Sequence, residues 1–96
     1  MSPPTPLENL SGPSGSLKAE PPDAAEIAGL LRTGSTRLTD ATNATLALES
    51  RFDLAYNAAH ALCLAALRKQ GFRPSNRYIV FQALPHTQVW QALQKS

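Results

Sequence analysis

The stretch RFDLAYNAAHALCLAALRKQGFRP, residues 51–74, limits the fold more than any other part of the chain. At about 100° per residue, a helix here carries two apolar strips. Phe52, Tyr56, Ala59, Cys63, Ala66 and Leu67 form one. Leu54, Ala58, Ala61, Leu62 and Ala65 form the other, well round the cylinder. A helix with two apolar faces needs neighbours on both sides, so this is the central helix of a bundle. A polar line of Asp53, Asn57, His60 and Arg68, interrupted by Leu64, runs between the strips. It is expected to be the exposed edge of the helix or a contact surface.

The elements around it follow from local signals. Residues 1–22 hold six of the eight prolines, together with SGPSGS. Repeated proline removes donors and blocks regular structure, and Leu7, Leu10 and Leu17 are too sparse for a core. This segment is read as a disordered tail, and residues 23–96 as one helical domain. Asp23 can cap a first helix, with Glu26 reaching back to complete a capping box. Ile27, Leu31, Gly34, Leu38, Ala41, Thr45 and Leu48 recur in steps of four and three. Gly34 can mark a break, with Ser35 or Thr36 capping a second helix, or allow close contact with a neighbour. The unbroken seam favours one helix over 23–45, bent at Gly34. A short link, TLALES, makes the next helix, 49–70, an antiparallel neighbour. Gly71 is placed to end it as a left-handed cap. Ser75 or Asn76 can cap a short helix with Tyr78, Phe81 and Leu84 inward. Thr87 can cap a last one with Val89, Trp90 and Leu93 inward. The expected fold class is all-α: a short antiparallel up-and-down helical bundle with two long helices and one or two short C-terminal helices.

Composition narrows the function classes. The net charge is only +2, without the dense basic face of a dedicated nucleic-acid binder. The one cysteine, Cys63, excludes an internal disulfide and lies in the longest apolar run, as an inert buried thiol would. That run, Ala61–Leu67, is far too short to cross a bilayer, and the N-terminus has no leader pattern. The expectation is a soluble cytoplasmic protein. Phosphate-cradling glycine loops are absent. His60 and His86 are the only histidines, and neither belongs to a cluster with ligand spacing, so no metal and no cofactor is expected.

Three groups of residues bear on function. Asp53, Asn57 and His60, with Trp90, form the candidate interaction surface. His60 has Asn57 and Tyr56 within one turn and Asp53 two turns away, but no nucleophile or second carboxylate joins them. No catalytic residue is assigned. Arg68, Lys69, Arg73 and Arg77 fall within ten residues that contain no acid. They are an alternative nucleic-acid contact, although a helix C-terminus also favours cations. Arg51 and His60 are nine residues apart and point to opposite sides of one helix.

Ala55, Tyr56, Ala58, the leucine-rich run and Gly71, with Phe52 ahead of them and GFR at 71–73, resemble the HEPN-like helical domains of prokaryotes. The resemblance covers roughly residues 24–84. It implies an up-and-down helical bundle, often dimeric, in toxin–antitoxin or defence systems beside a nucleotidyltransferase-like partner. Active members of that superfamily are metal-independent RNases. They use an arginine and a histidine separated by four to six residues near the start of a late helix, duplicated across a dimer. Here Arg51 and His60, like Arg77 and His86, have eight residues between them. The late helix would begin where the sequence reaches Ser96. The expectation is therefore a non-catalytic module whose uncovered apolar side meets a second copy or another protein. An RNase assembled in a dimer from Arg51 and His60 is the remaining enzymatic alternative.

Overall fold

The computed structural model describes residues 17–83. In chain order these form β1 (Leu17–Ala19), α1 (Ala24–Ala41), α2 (Leu48–Lys69), β2 (Phe72–Pro74) and α3 (Arg77–Ala83). The described chain is mostly helical, with a small antiparallel sheet added. Leu17 pairs with Pro74, Lys18 with Arg73, and Ala19 with Phe72.

α1 begins where its chemistry says it should. Asp23 has extended backbone, and its carboxylate accepts from the Glu26 amide at 3.1 Å. The reciprocal half of the expected box goes elsewhere, because the Glu26 carboxylate is committed to two arginines. At the other end the helix stops at Ala41, short of the expected residue 45. The Thr42 hydroxyl bonds back to the Thr39 carbonyl at 2.6 Å, and Asn43 Oδ1 accepts from both the amide and the hydroxyl of Thr45. These side chains offer the backbone a turn in place of another helical bond. Residues 42–47 thus form the link to α2.

Three contacts run in opposite order along the two long helices and make them antiparallel. Arg51 Nε donates to the Ala41 carbonyl at 2.8 Å, Gly34 faces Ala58 and Leu62, and Glu26 reaches Arg68. The first of these satisfies a carbonyl at the end of α1 that the helix itself leaves free. α1 passes unbroken through Gly34. A Cβ there would lie 2.7 Å from Leu62 Cγ and Cδ2, so the glycine serves close approach.

α2 ends as its sequence predicts, with Gly71 at φ 87° after Gln70. A non-glycine residue is strained in that left-handed conformation. Asn76 caps α3 through its side-chain oxygen, which accepts from the amides of Tyr78 and Ile79. The inward face of α3 differs from expectation. Val80 and Ala83 are fully buried, whereas Tyr78 is 76% exposed.

The main core consists of Leu17, Cys63, Leu67, Val80 and Ala83, with Leu64, Phe72, Ile79 and Phe81 packed against it. Leu17 thus belongs to the core and not to a tail. Residues 17–19 form a strand inside the segment read as disordered, and GFRPSN contains a strand instead of being a plain link. The Cys63 thiol is buried, and that burial raises its pKa. Leu84, Thr87, Val89, Trp90 and Leu93 lie outside the described residues, as do the first sixteen.

Candidate interaction surface

The polar line of α2 is not one exposed edge. Asp53 is exposed, Asn57 and His60 are half-buried, and Arg68 is 1% exposed. Burying an arginine is tolerable only if its donors are occupied. Arg68 Nε donates to Glu26 Oε1 at 2.6 Å. Its Nη1 donates to the carbonyls of Glu20 and Phe72, and its Nη2 to the Pro21 carbonyl at 2.7 Å. Glu20 Oε2 also lies 3.2 Å from Nη2. Arg73 closes the network from β2, with Nε on Glu20 Oε2 at 2.7 Å and Nη2 on Glu26 Oε2 at 2.8 Å. Two arginines and two glutamates therefore join β1's exit, α1's first turn, the end of α2 and β2.

This changes the reading of the basic cluster. Arg68 faces inward and presents nothing to an external ligand. Arg73 is spoken for by two carboxylates. Lys69 and Arg77 are the exposed members of the four.

The network sets an acid response. The Arg68 hydrogen bond, then that of Arg73, holds the Glu26 carboxyl below the usual carboxylate range. A carboxyl lowered on folding adds stability above its unfolded value and loses it as pH falls through the folded one. His60 is also lowered, by burial first and then by the Arg77 charge. As pH falls, the unfolded chain takes up this proton before the folded one does. The melting temperature is therefore expected to decline in two stages. The first lies below about pH 6.5 and the second below about pH 4.3. Thermal scans across pH should show both, and Glu26→Gln should remove the lower one only.

Around His60, α3 folds over α2. The Phe81 ring packs on His60 edge-on at 5.9 Å and on Tyr56 at 5.5 Å. Arg77 lies over the Tyr56 ring at 5.5 Å and donates to Asn57 Oδ1 at 3.1 Å, while the Asn57 amide donates to the Asp53 carbonyl. His60, Arg73, Asn76 and Arg77 line a recess of about 240 Å³. His60 Nε2 is buried with no hydrogen-bond partner among the described residues. Arg51 is turned to α1 and does not join this group. Among the described residues no cluster of histidine, cysteine, aspartate or glutamate could hold a metal ion. No described helix is long and apolar enough to cross a membrane.

The apolar strips of α2 have unlike fates. Ala58 and Leu62, from the second strip, meet Gly34 of α1. The first strip is covered only in its C-terminal half, where Cys63 and Leu67 join the core. Its N-terminal half is open: Phe52 is 69% exposed and Tyr56 41%, and Leu48, one turn before Phe52, is 79% exposed. Ala55 and Ala59 on the same side are exposed as well. Leu31 and Leu38, which flank Gly34 on the α1 seam, are about half exposed. Sequence reading gave the continuous strip 52–67 one fate. Among the described residues, β1 and α3 pack against α2 from Tyr56 onward, which leaves Leu48 and Phe52 uncovered. No family model, curated protein or solved structure matches the chain.

Proposed function

We propose that this chain is a non-catalytic helical interaction module of HEPN-like type that works through protein contacts. The observation carrying this reading is the open line Leu48, Phe52 and Tyr56 on α2. Single exposed apolar residues are ordinary, but three at successive turns of one helix make a stripe of the kind that docks against another helix. The HEPN-like part rests on Ala55, Tyr56, Ala58 and Gly71 and their neighbours, and the toxin–antitoxin or defence setting follows only from that resemblance. Asp53 beside this line, and Asn57 and Arg77 at its far end, supply polar edges. The basic turn lends less to the nucleic-acid alternative than its composition suggests, since Arg68 and Arg73 are paired internally.

Site-specific photo-crosslinking tests the contact. A photoreactive phenylalanine analogue at Leu48 or Phe52, expressed in the source cells, is expected to form an adduct with one protein identifiable by mass spectrometry. The same analogue at exposed Arg37 should not, and a lack of adducts at all three positions would count against the reading. For chemistry, the purified chain is expected to leave single-stranded RNA intact. Metal-independent cleavage that disappears in His60→Ala would overturn the non-catalytic assignment.

A further inference from the structure

We infer that the occupant of the open α2 face is a second copy of this chain, packed antiparallel through Leu48, Phe52 and Tyr56 and locked by two Arg77–Glu49 ion pairs. The inference rests on the protein-contact reading above and adds the identity and orientation of the partner.

The argument begins with what surrounds the face. Viewed down α2, α1 occupies one flank, against Ala58 and Leu62. α3 occupies the other, through Phe81 on Tyr56 and His60. The sector between them at residues 48–59 is lined by Leu48, Phe52, Ala55, Tyr56 and Ala59, all exposed. The alanines beside Phe52 leave hollows into which the large side chains of a facing helix can pack.

Charge then selects the orientation. Glu49 and Asp53 lie about 60° and 100° round the helix from Phe52, on the α3 flank. They share a concavity with Leu48 and Phe52. Arg77 sits on the same flank one turn further along, over Tyr56 and against Asn57. So one edge of the apolar line is acidic at its start and basic at its end. Among the described residues no carboxylate lies within ion-pair reach of Arg77, and no cation within reach of Glu49 or Asp53. A two-fold axis through Phe52 and across the helix reverses α2 while keeping like flanks together. Residue 49 of one copy then stands level with residue 55 of the other, within about 3 Å along the axis of the Tyr56–Asn57 level that holds Arg77. Leu48 meets Tyr56 twice, Phe52 meets Phe52, and each Arg77 meets the second copy's Glu49. One surface thereby supplies both halves of its own complement, as an isologous contact requires.

Sedimentation of the intact chain tests this. The wild type is expected to be a dimer, and Phe52→Asp a monomer with an unchanged melting profile when diluted. Arg77→Glu and Glu49→Arg should each weaken dimerisation by about ten-fold or more, and the double variant should recover it. Recovery carries the proposal, because general damage to folding is not undone by a second charge reversal. A wild type that stays monomeric at about 100 µM would overturn the second copy as occupant. In that case crosslinking from Phe52 to a different protein would leave the protein-contact reading standing, and no crosslinking would end both. A dimer indifferent to Phe52→Asp, or a double variant without recovery, would place the contact elsewhere and also overturn the inference.

Discussion

Replacing Arg68 by alanine is expected to remove about 3 kcal/mol of stability, a large part of what a domain of this size has. The guanidinium has five N–H groups; four hydrogen bonds, to Glu26 and three backbone carbonyls, occupy four of them, and Glu20 Oε2 lies 3.2 Å from Nη2 as an ion pair. Removing the guanidinium takes that donor from the carbonyls of Glu20, Pro21 and Phe72 and leaves the two carboxylates to Arg73 alone. Those carboxylates are about a third exposed, so water takes up part of the loss. The carbonyls are harder to compensate, because they sit where the chain leaves β1 and enters α1. For that reason Arg68→Met should also destabilise, although buried ion pairs elsewhere can often be replaced by apolar residues of like volume. Arg68→Lys keeps the charge but not the fork that reaches both strands, and should recover little. Urea denaturation of the three variants against the wild type measures this. A Met variant as stable as the wild type would show that the carbonyls find water and that the network matters less than its geometry suggests.

The same network shows why part of this fold was legible and part was not. Asp23, Gly71 and Asn76 act within a few residues of themselves, so each could be read from local chemistry. The antiparallel pairing of the long helices followed from a short link. Arg68 joins groups 42 to 48 residues away, and its position in a polar line of α2 looks the same whether the line faces water or a glutamate. Leu17 had no period to reveal it. A three-residue strand shows no alternation, and its partner β2 lies more than fifty residues on. In α3, seven residues are too few to separate a face holding Tyr78 from one holding Val80, and the core beneath decided for Val80. The candidate surface moved for a related reason. Asp53, Asn57 and His60 were grouped by spacing, but α3 covers His60 and ties Asn57 to Arg77. The apolar line beside them stays open.

Gly34 allows a second large effect, and the sequence left two explanations open for it. A glycine kept as a hinge should be improved by alanine, which favours helix by about 1 kcal/mol. A glycine kept for close approach should not be. Here a Cβ would meet Leu62 Cγ and Cδ2 at 2.7 Å and the Ala58 carbonyl oxygen at 3.4 Å. The whole branch of Leu62 would have to move, and the backbone oxygen beside it leaves little room. Gly34→Val is therefore expected to cost about 2–3 kcal/mol, from overpacking together with the stiffness of a β-branched side chain. Gly34→Ala should be milder, its gain in propensity offset by the clash. Leu62→Ala vacates the volume that a new Cβ needs. In that background the cost of Gly34→Val should fall by more than half, so a double-mutant cycle read by urea denaturation should be strongly non-additive. Additive costs, or stabilisation by alanine with Leu62 in place, would show that α1 and α2 are not held at the separation that their contact at Gly34 implies.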